Sequence, residues 1–167
     1  AIGSRTAELA SALGMRVLGV RRHAGASVPG VERIFGPDRL LDLLPEADFV
    51  VLTVPLTHET RGMIGARELH AMKRDATIVN IGRGGTIREA DLVRALAEGW
   101  IAAAGLDVFE REPLPSESPL WGMENVLITA HQAFLTREAL SDISRMTVAN
   151  LRAFAGGKPL VEGSVLT

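Results

Sequence analysis

Short apolar runs and amphipathic stretches alternate along this chain. Met15–Val20 (MRVLGV), Val31–Phe35 (VERIF), Asp48–Val54 (DFVVLTV), Ala76–Ile81 (ATIVNI), Ile101–Asp107 (IAAAGLD) and Asn125–Ala130 (NVLITA) read as strands. Asp48–Val54 is apolar at nearly every position, which predicts a strand covered on both faces. Helical patterns lie between them: Asp38–Leu44 stopped by Pro45, Ala66–Lys73 after Gly65, and Arg88–Gly99. Thr86 precedes the third, with Glu89 three residues on, the spacing of a capping box. A long amphipathic helix is predicted from Thr136 to Ala155, with Leu140, Ile143, Thr147, Leu151 and Phe154 on one face and Gly156-Gly157 stopping it. This alternation predicts an α/β fold, a Rossmann-like doubly wound parallel sheet with crossover helices.

The opening AIGSRTAELA is helical in pattern, with a helix ending at Gly14. In dinucleotide-binding folds a strand runs into G-x-G-x-x-G, whose last glycine lies in the first helical turn. Gly3 fits that glycine, with Ala1 and Ile2 before it. On this reading the sheet lacks its first strand within the 167 residues. A lone glycine at a helix start is equally an ordinary helix feature, so the remainder of the chain has to decide.

Composition narrows the function classes. The chain is of single-domain size, and a net charge of −2 gives no general attraction to nucleic acid or anionic membranes. There is no cysteine for a disulfide or thiolate site, and no apolar run of membrane-spanning length. Cytoplasm is the expected compartment. His23, His58 and His70 show no ligand-type pairing, so no metal is expected.

Three stretches carry candidate chemistry: VNIGRGGTIREADL, GLDVFEREPLP and NVLITAHQAFLT. In order and spacing they resemble the D-isomer-specific 2-hydroxyacid dehydrogenases, as does ADFVVLTVPLTHETRGMIG upstream. The resemblance runs from Ala1 to about residue 160. Within the family, HQAFLTREAL is most similar to fermentative D-lactate dehydrogenases, and EPLPSESPLW to glyoxylate/hydroxypyruvate reductases. The implied reaction moves a hydride between NAD(P) and a small D-2-hydroxy or 2-oxo acid, of glyoxylate, hydroxypyruvate or pyruvate type. A non-catalytic, dinucleotide-sensing module like the C-terminal-binding corepressors is the alternative. Formate dehydrogenases share the topology but pair their histidine with glutamine, where this chain has Glu112.

Reduction of a 2-oxo acid needs a cation for the carboxylate and a proton for the developing alkoxide. Arg83, at a strand end among glycines, suits the first, because its planar fork grips a carboxylate bidentately. His131, also at a strand end, suits the second. A carboxylate on the imidazole would set its tautomer and stabilise its protonated form, a role that falls to Glu112. Arg83, Glu112 and His131 match the family's catalytic set residue by residue, except that Ala130 stands where proline usually precedes the histidine.

Cofactor contacts are expected at the first helix, where backbone of Ala1, Ile2 and Gly3 faces a pyrophosphate. Val54, Pro55 and Thr60 would flank the adenosine half. The resemblance adds Ile81, Gly82 and Arg83 backbone and the Asp107 carboxylate on the nicotinamide side. After MRVLGV, where NAD-specific domains carry an acid, stand Arg21, Arg22 and His23. Two guanidinium groups favour a 2′-phosphate, which predicts NADP over NAD.

The family has a second, substrate domain, expected to be absent here. Residues 1–157 read as the NAD(P)-binding domain, incomplete at its N-terminus, and 158–167 as a segment returning toward that partner domain. The isolated chain is expected to be inactive. The resemblance also implies a homodimer and a small 2-oxo acid as partner.

Overall fold

The computed structural model describes residues 2–22 and 27–161. The chain divides into two compact units, one ending at His131 and one beginning at Gln132.

Among the described residues of the first unit, six strands and four α-helices follow one another. Helix α1 (Ile2–Ala12) leads to β1 (Leu18–Val20) and β2 (Arg33–Phe35). Then come α2 (Leu40–Leu43), β3 (Phe49–Leu52), α3 (Ala66–Ala71), β4 (Thr77–Asn80), α4 (Glu89–Ala97), β5 (Ala103–Leu106) and β6 (Val126–Ile128). Each strand lies within its apolar run, β1 and β2 at the C-terminal ends of theirs. Every pairing is parallel, as crossover helices require.

The strands form two sheets, β1–β2 and β3–β4–β5–β6. Among the described residues, β1 and β3 are not hydrogen-bonded neighbours, and a cleft of about 1040 Å³ is lined by Leu18 and Val20 on one side and Phe49–Leu52 on the other. It falls where a doubly wound sheet has its first strand. The core lies with the larger sheet. Ile78 and Ala104 of the central strands, Leu69 of α3, and Leu92, Ala95 and Leu96 of α4 are enclosed there.

Three sequence expectations need correction. Phe49 and Val51 are 55% and 40% exposed, so β3 is not covered on both faces; both residues line the cleft. The helix expected at Asp38–Leu44 is instead a 3-10 turn at Pro37–Arg39, the single α-turn α2, and a 3-10 turn at Leu44–Glu46. Pro45 does not stop the chain but sits at the start of that last turn, where its missing N–H is harmless. The third concerns Thr86. The N-cap of α4 is Arg88, without a side-chain cap, and Thr86 Oγ1 donates to Arg83 O at 2.7 Å. Glu89 closes a different pair: its N–H donates to Glu110 Oε1 and its Oε2 accepts from Glu110 N–H, both at 3.1 Å.

The second unit holds helix α5 (Arg137–Ala155), whose first turn is capped by Thr136 Oγ1 accepting from Ala139 N–H at 3.0 Å. Leu140, Ile143, Leu151 and Phe154 are exposed along it. Among the described residues no helix is long and apolar enough to cross a membrane.

Candidate active site

Parallel strands bring their C-terminal ends to one edge of a sheet, where the following loops can converge. The loops after β4, β5 and β6 carry Arg83, Glu112 and His131 respectively.

The β4 loop is held from beneath by polar groups that the core encloses. Asn80 and Thr86 are 1% and 0% exposed. Asn80 Nδ2 donates to Arg83 O at 3.1 Å and to Thr86 Oγ1 at 3.2 Å, while Asn80 Oδ1 accepts from Gly82 N–H at 3.1 Å. Two of these bonds tie loop backbone directly to a rigid strand end, so the backbone of Arg83 has little freedom. Its side chain is exposed, with Nη1 donating to Gly82 O at 2.7 Å.

Gly84 locks this loop onto the next one. A Cβ there would overlap the Phe109 carbonyl, so no other residue allows so close an approach. Phe109 N–H in turn donates to Glu112 Oε1 at 3.0 Å. The other carboxylate oxygen, Oε2, lies 2.6 Å from His131 Nδ1. Burial alone would raise the Glu112 pKa. The hydrogen bonds from the His131 ring and Phe109 N–H, with the charges of His131 and Arg83, outweigh it and hold the carboxyl below its ordinary value.

His131 is seated by its backbone as well. It takes a left-handed φ of 52°, uncommon for a residue with a Cβ, and its N–H donates to Asp107 O at 2.8 Å. Asp107 is buried, and Thr129 Oγ1 donates to its Oδ1 at 2.5 Å. Such a backbone conformation costs on the order of 1–3 kcal/mol and persists only where surrounding bonds impose it.

Five of the other expected cofactor residues lie along the cleft. Arg21, Arg22, Val54, Pro55 and Thr60 all line it. Thr60 Oγ1 accepts from Thr57 N–H at 2.8 Å and donates to Pro55 O at 2.6 Å, closing a compact turn after β3. Gly3 brings the first turn of α1 against that strand end, since a Cβ there would stand 2.7 Å from Thr53 Oγ1. Ile81 N–H donates to Leu52 O at 3.2 Å, so the β4 loop leaves beside the same strand end. Ala1 and His23 lie outside the described residues. Where these strands end, a helix N-terminus and the cations Arg21 and Arg22 suit the phosphates of a dinucleotide. His58 is exposed and His70 stacks on Trp100 with ring centroids 3.5 Å apart. Among the described residues no cluster of three His, Cys, Asp or Glu side chains could hold a metal ion.

Sequence reasoning missed Asn80, Thr86, Thr129 and the Glu89–Glu110 pair. Asn80 carried a signal as a polar side chain near the end of a largely apolar strand run, and Thr86 and Glu89 one that pointed to a cap instead.

Residues 1–133 match a family described as D-isomer specific 2-hydroxyacid dehydrogenase, NAD binding domain. A glyoxylate reductase of Aeropyrum pernix is 46% identical over 159 residues, covering 94% of this chain and 47% of that protein. The chain thus spans about half the length of the curated relatives it matches. An NADPH-dependent glyoxylate/hydroxypyruvate reductase of Sinorhizobium meliloti, solved with NADP and sulfate, superposes with a TM-score of 0.82 at 34% identity, over 95% of this chain and 50% of that one. A D-lactate dehydrogenase of Lactobacillus jensenii, solved with NAD+, gives 0.83 at 30% identity, over 99% and 52%.

Proposed function

The chain belongs to the D-isomer specific 2-hydroxyacid dehydrogenase family, and from that premise we propose that it is the cofactor half of a two-domain enzyme reducing small 2-oxo acids to D-2-hydroxy acids. One observation carries the reading: the 2.6 Å bond between His131 Nδ1 and Glu112, on loops that leave adjacent parallel strands at the same sheet edge.

A reduced nicotinamide, when bound, supplies the hydride. Arg83 holds the substrate carboxylate, and its charge also steadies the carbonyl oxygen as negative charge grows there. With Nδ1 engaged by Glu112, proton transfer to that oxygen falls to Nε2 of His131. Glu112 keeps the imidazole oriented and balances its charge while it holds the proton. Asp107 and the Ile81–Arg83 backbone are assigned to the nicotinamide side, and Ile2 and Gly3 to the pyrophosphate. Val54, Pro55 and Thr60 take the adenosine half.

Arg21 and Arg22 on the cleft wall support NADP(H) over NAD(H). Glyoxylate and hydroxypyruvate are the favoured substrates, in line with the relatives' names. The activity belongs to the two-domain enzyme, and the isolated 167-residue chain is inactive in this reading. The exposed Phe49 and Val51 beside the cleft support that. A homodimer belongs to the same reading and is checked by light scattering.

The test is NADPH and NADH oxidation by the full-length enzyme with glyoxylate, hydroxypyruvate, pyruvate and phenylpyruvate. Turnover with a preference for NADPH is expected, and Arg21→Asp should reverse the preference. No turnover with any 2-oxo acid, alongside intact dinucleotide binding, would favour a sensing module instead. Equal kcat/KM for the two cofactors would overturn the NADP assignment.

A further inference from the structure

We infer that Glu59 is a specificity residue: its carboxylate competes with a 2′-phosphate for Arg22 and so limits the preference for NADP(H). The inference rests on the cofactor reading above and adds a component that opposes it.

Glu59 belongs to the turn after β3, and Arg22 follows the end of β1, on the facing wall of the same cleft. The two side chains meet across it, Arg22 Nη2 lying 3.7 Å from Glu59 Oε2. Glu59 is not a freely swinging carboxylate. Thr57 Oγ1 donates to the same Oε2 at 2.6 Å, and Thr57 is itself fixed by Thr60. Thr57 chiefly, then the backbone N–H of Glu59 itself, and to a lesser degree the charges of Arg22 and His58, hold the Glu59 carboxyl below its ordinary pKa, so it is anionic at neutral pH.

A dianionic phosphate brought to Arg22 therefore meets a fixed negative charge already paired with that guanidinium. It must displace the carboxylate or tolerate it at close range. A ribose 2′-hydroxyl carries no charge and meets no such opposition. Both partners are well exposed, with side chains 66% and 69% accessible, so solvent screens the pair and its effect is modest. Glu59 thus leaves the site usable by both cofactors, with Arg21 and Arg22 tipping it toward the phosphorylated one.

The experiment measures dissociation constants of NADPH and NADH for the full-length enzyme by nucleotide fluorescence, without substrate. Glu59→Gln keeps an acceptor for Thr57 while removing the charge. It should tighten NADPH roughly two- to fivefold and leave NADH unchanged. The gain should shrink at high salt and vanish in an Arg22→Ala background. Equal changes for both cofactors, or none for NADPH, overturn the inference. Arg22→Ala alone separates the two levels of the argument. If it abolishes the NADPH advantage while Glu59→Gln does nothing, only the role of Glu59 falls. If it leaves the advantage intact, the use of Arg22 in the cofactor reading falls with it.

Discussion

Across the cleft the two sheets face each other with unequal support. On the side of β3–β6, Ile78, Leu69 and Ala95 are fully enclosed, and the loops at the strand ends are tied by buried Asn80, Thr86 and Asp107. On the other side Leu18, Gly19 and Val20 of β1 are all half-buried, and α1 buries only Ala7. Proton transfer and carboxylate binding are assigned to the first side, the choice between cofactors to the second. Chemistry that needs its groups placed within a fraction of an ångström is set on the rigid elements. Discrimination of a phosphate from a hydroxyl works through charge, which falls off gradually with distance and tolerates a looser support.

The sharpest way to break this division is at His131. His131→Gln removes the proton donor while leaving every cleft residue in place. In the full-length enzyme kcat should fall about 10²–10⁴-fold, with the dissociation constant for NADPH within about twofold of wild type if the two sides are as separable as the fold implies. A comparable loss of cofactor binding would show that the two sides act as one.

The packing contrast is tested next. Ile78→Ala empties a site in the enclosed core and should cost about 2–5 kcal/mol. Val20→Ala truncates a side chain that is only partly covered and should cost about 1 kcal/mol or less. Hydrogen exchange gives the regional readout: β1 amides should exchange before those of β4 in the wild-type protein, and Ile78→Ala should narrow the gap. Equal protection of the two strands would contradict the asymmetry seen in burial.

How much of this was legible beforehand differs between the same two sides. The six strands and the long helix announce themselves as apolar runs and periodicity, because burial imposes those patterns locally. Arg83 and His131, taken singly, read as ordinary loop residues; only their order within three motifs marked them. Thr86 shows why the rest stayed hidden. Its spacing to Glu89 suggested a cap, but Asn80 and the Arg83 carbonyl, held nearby by the β4 loop, engaged its hydroxyl instead. The coverage of Asp48–Val54 was misjudged for a related reason, since composition reports how apolar a strand is and not which neighbours it meets. The Arg22–Glu59 pair joins residues far apart in the chain, and no spacing rule could have joined them.

The smallest expected effect within the catalytic set is that of Glu112→Gln, and it sharpens the comparison most finely. The Glu112 carboxyl sits below its ordinary pKa in the folded protein. Its contribution to stability is therefore fully present above the unfolded carboxylate value and is lost only as pH falls through the lower folded value. At neutral pH the group is ionised and faces His131 as a counter-charge. Glutamine keeps the shape and an acceptor for Phe109 N–H but removes that charge, so the imidazolium is less favoured. Reduction needs the protonated ring, so its rate falls toward alkaline pH. In Glu112→Gln that descending limb should move to lower pH, with partial activity, about a tenth of wild type, retained near the new optimum. Oxidation of the hydroxy acid needs the neutral ring, so its ascending limb should move the same way. A pH profile superimposable on wild type would show that Glu112 orients the ring without influencing its proton, and the cation-balancing role would then have to pass to another group on the rigid side.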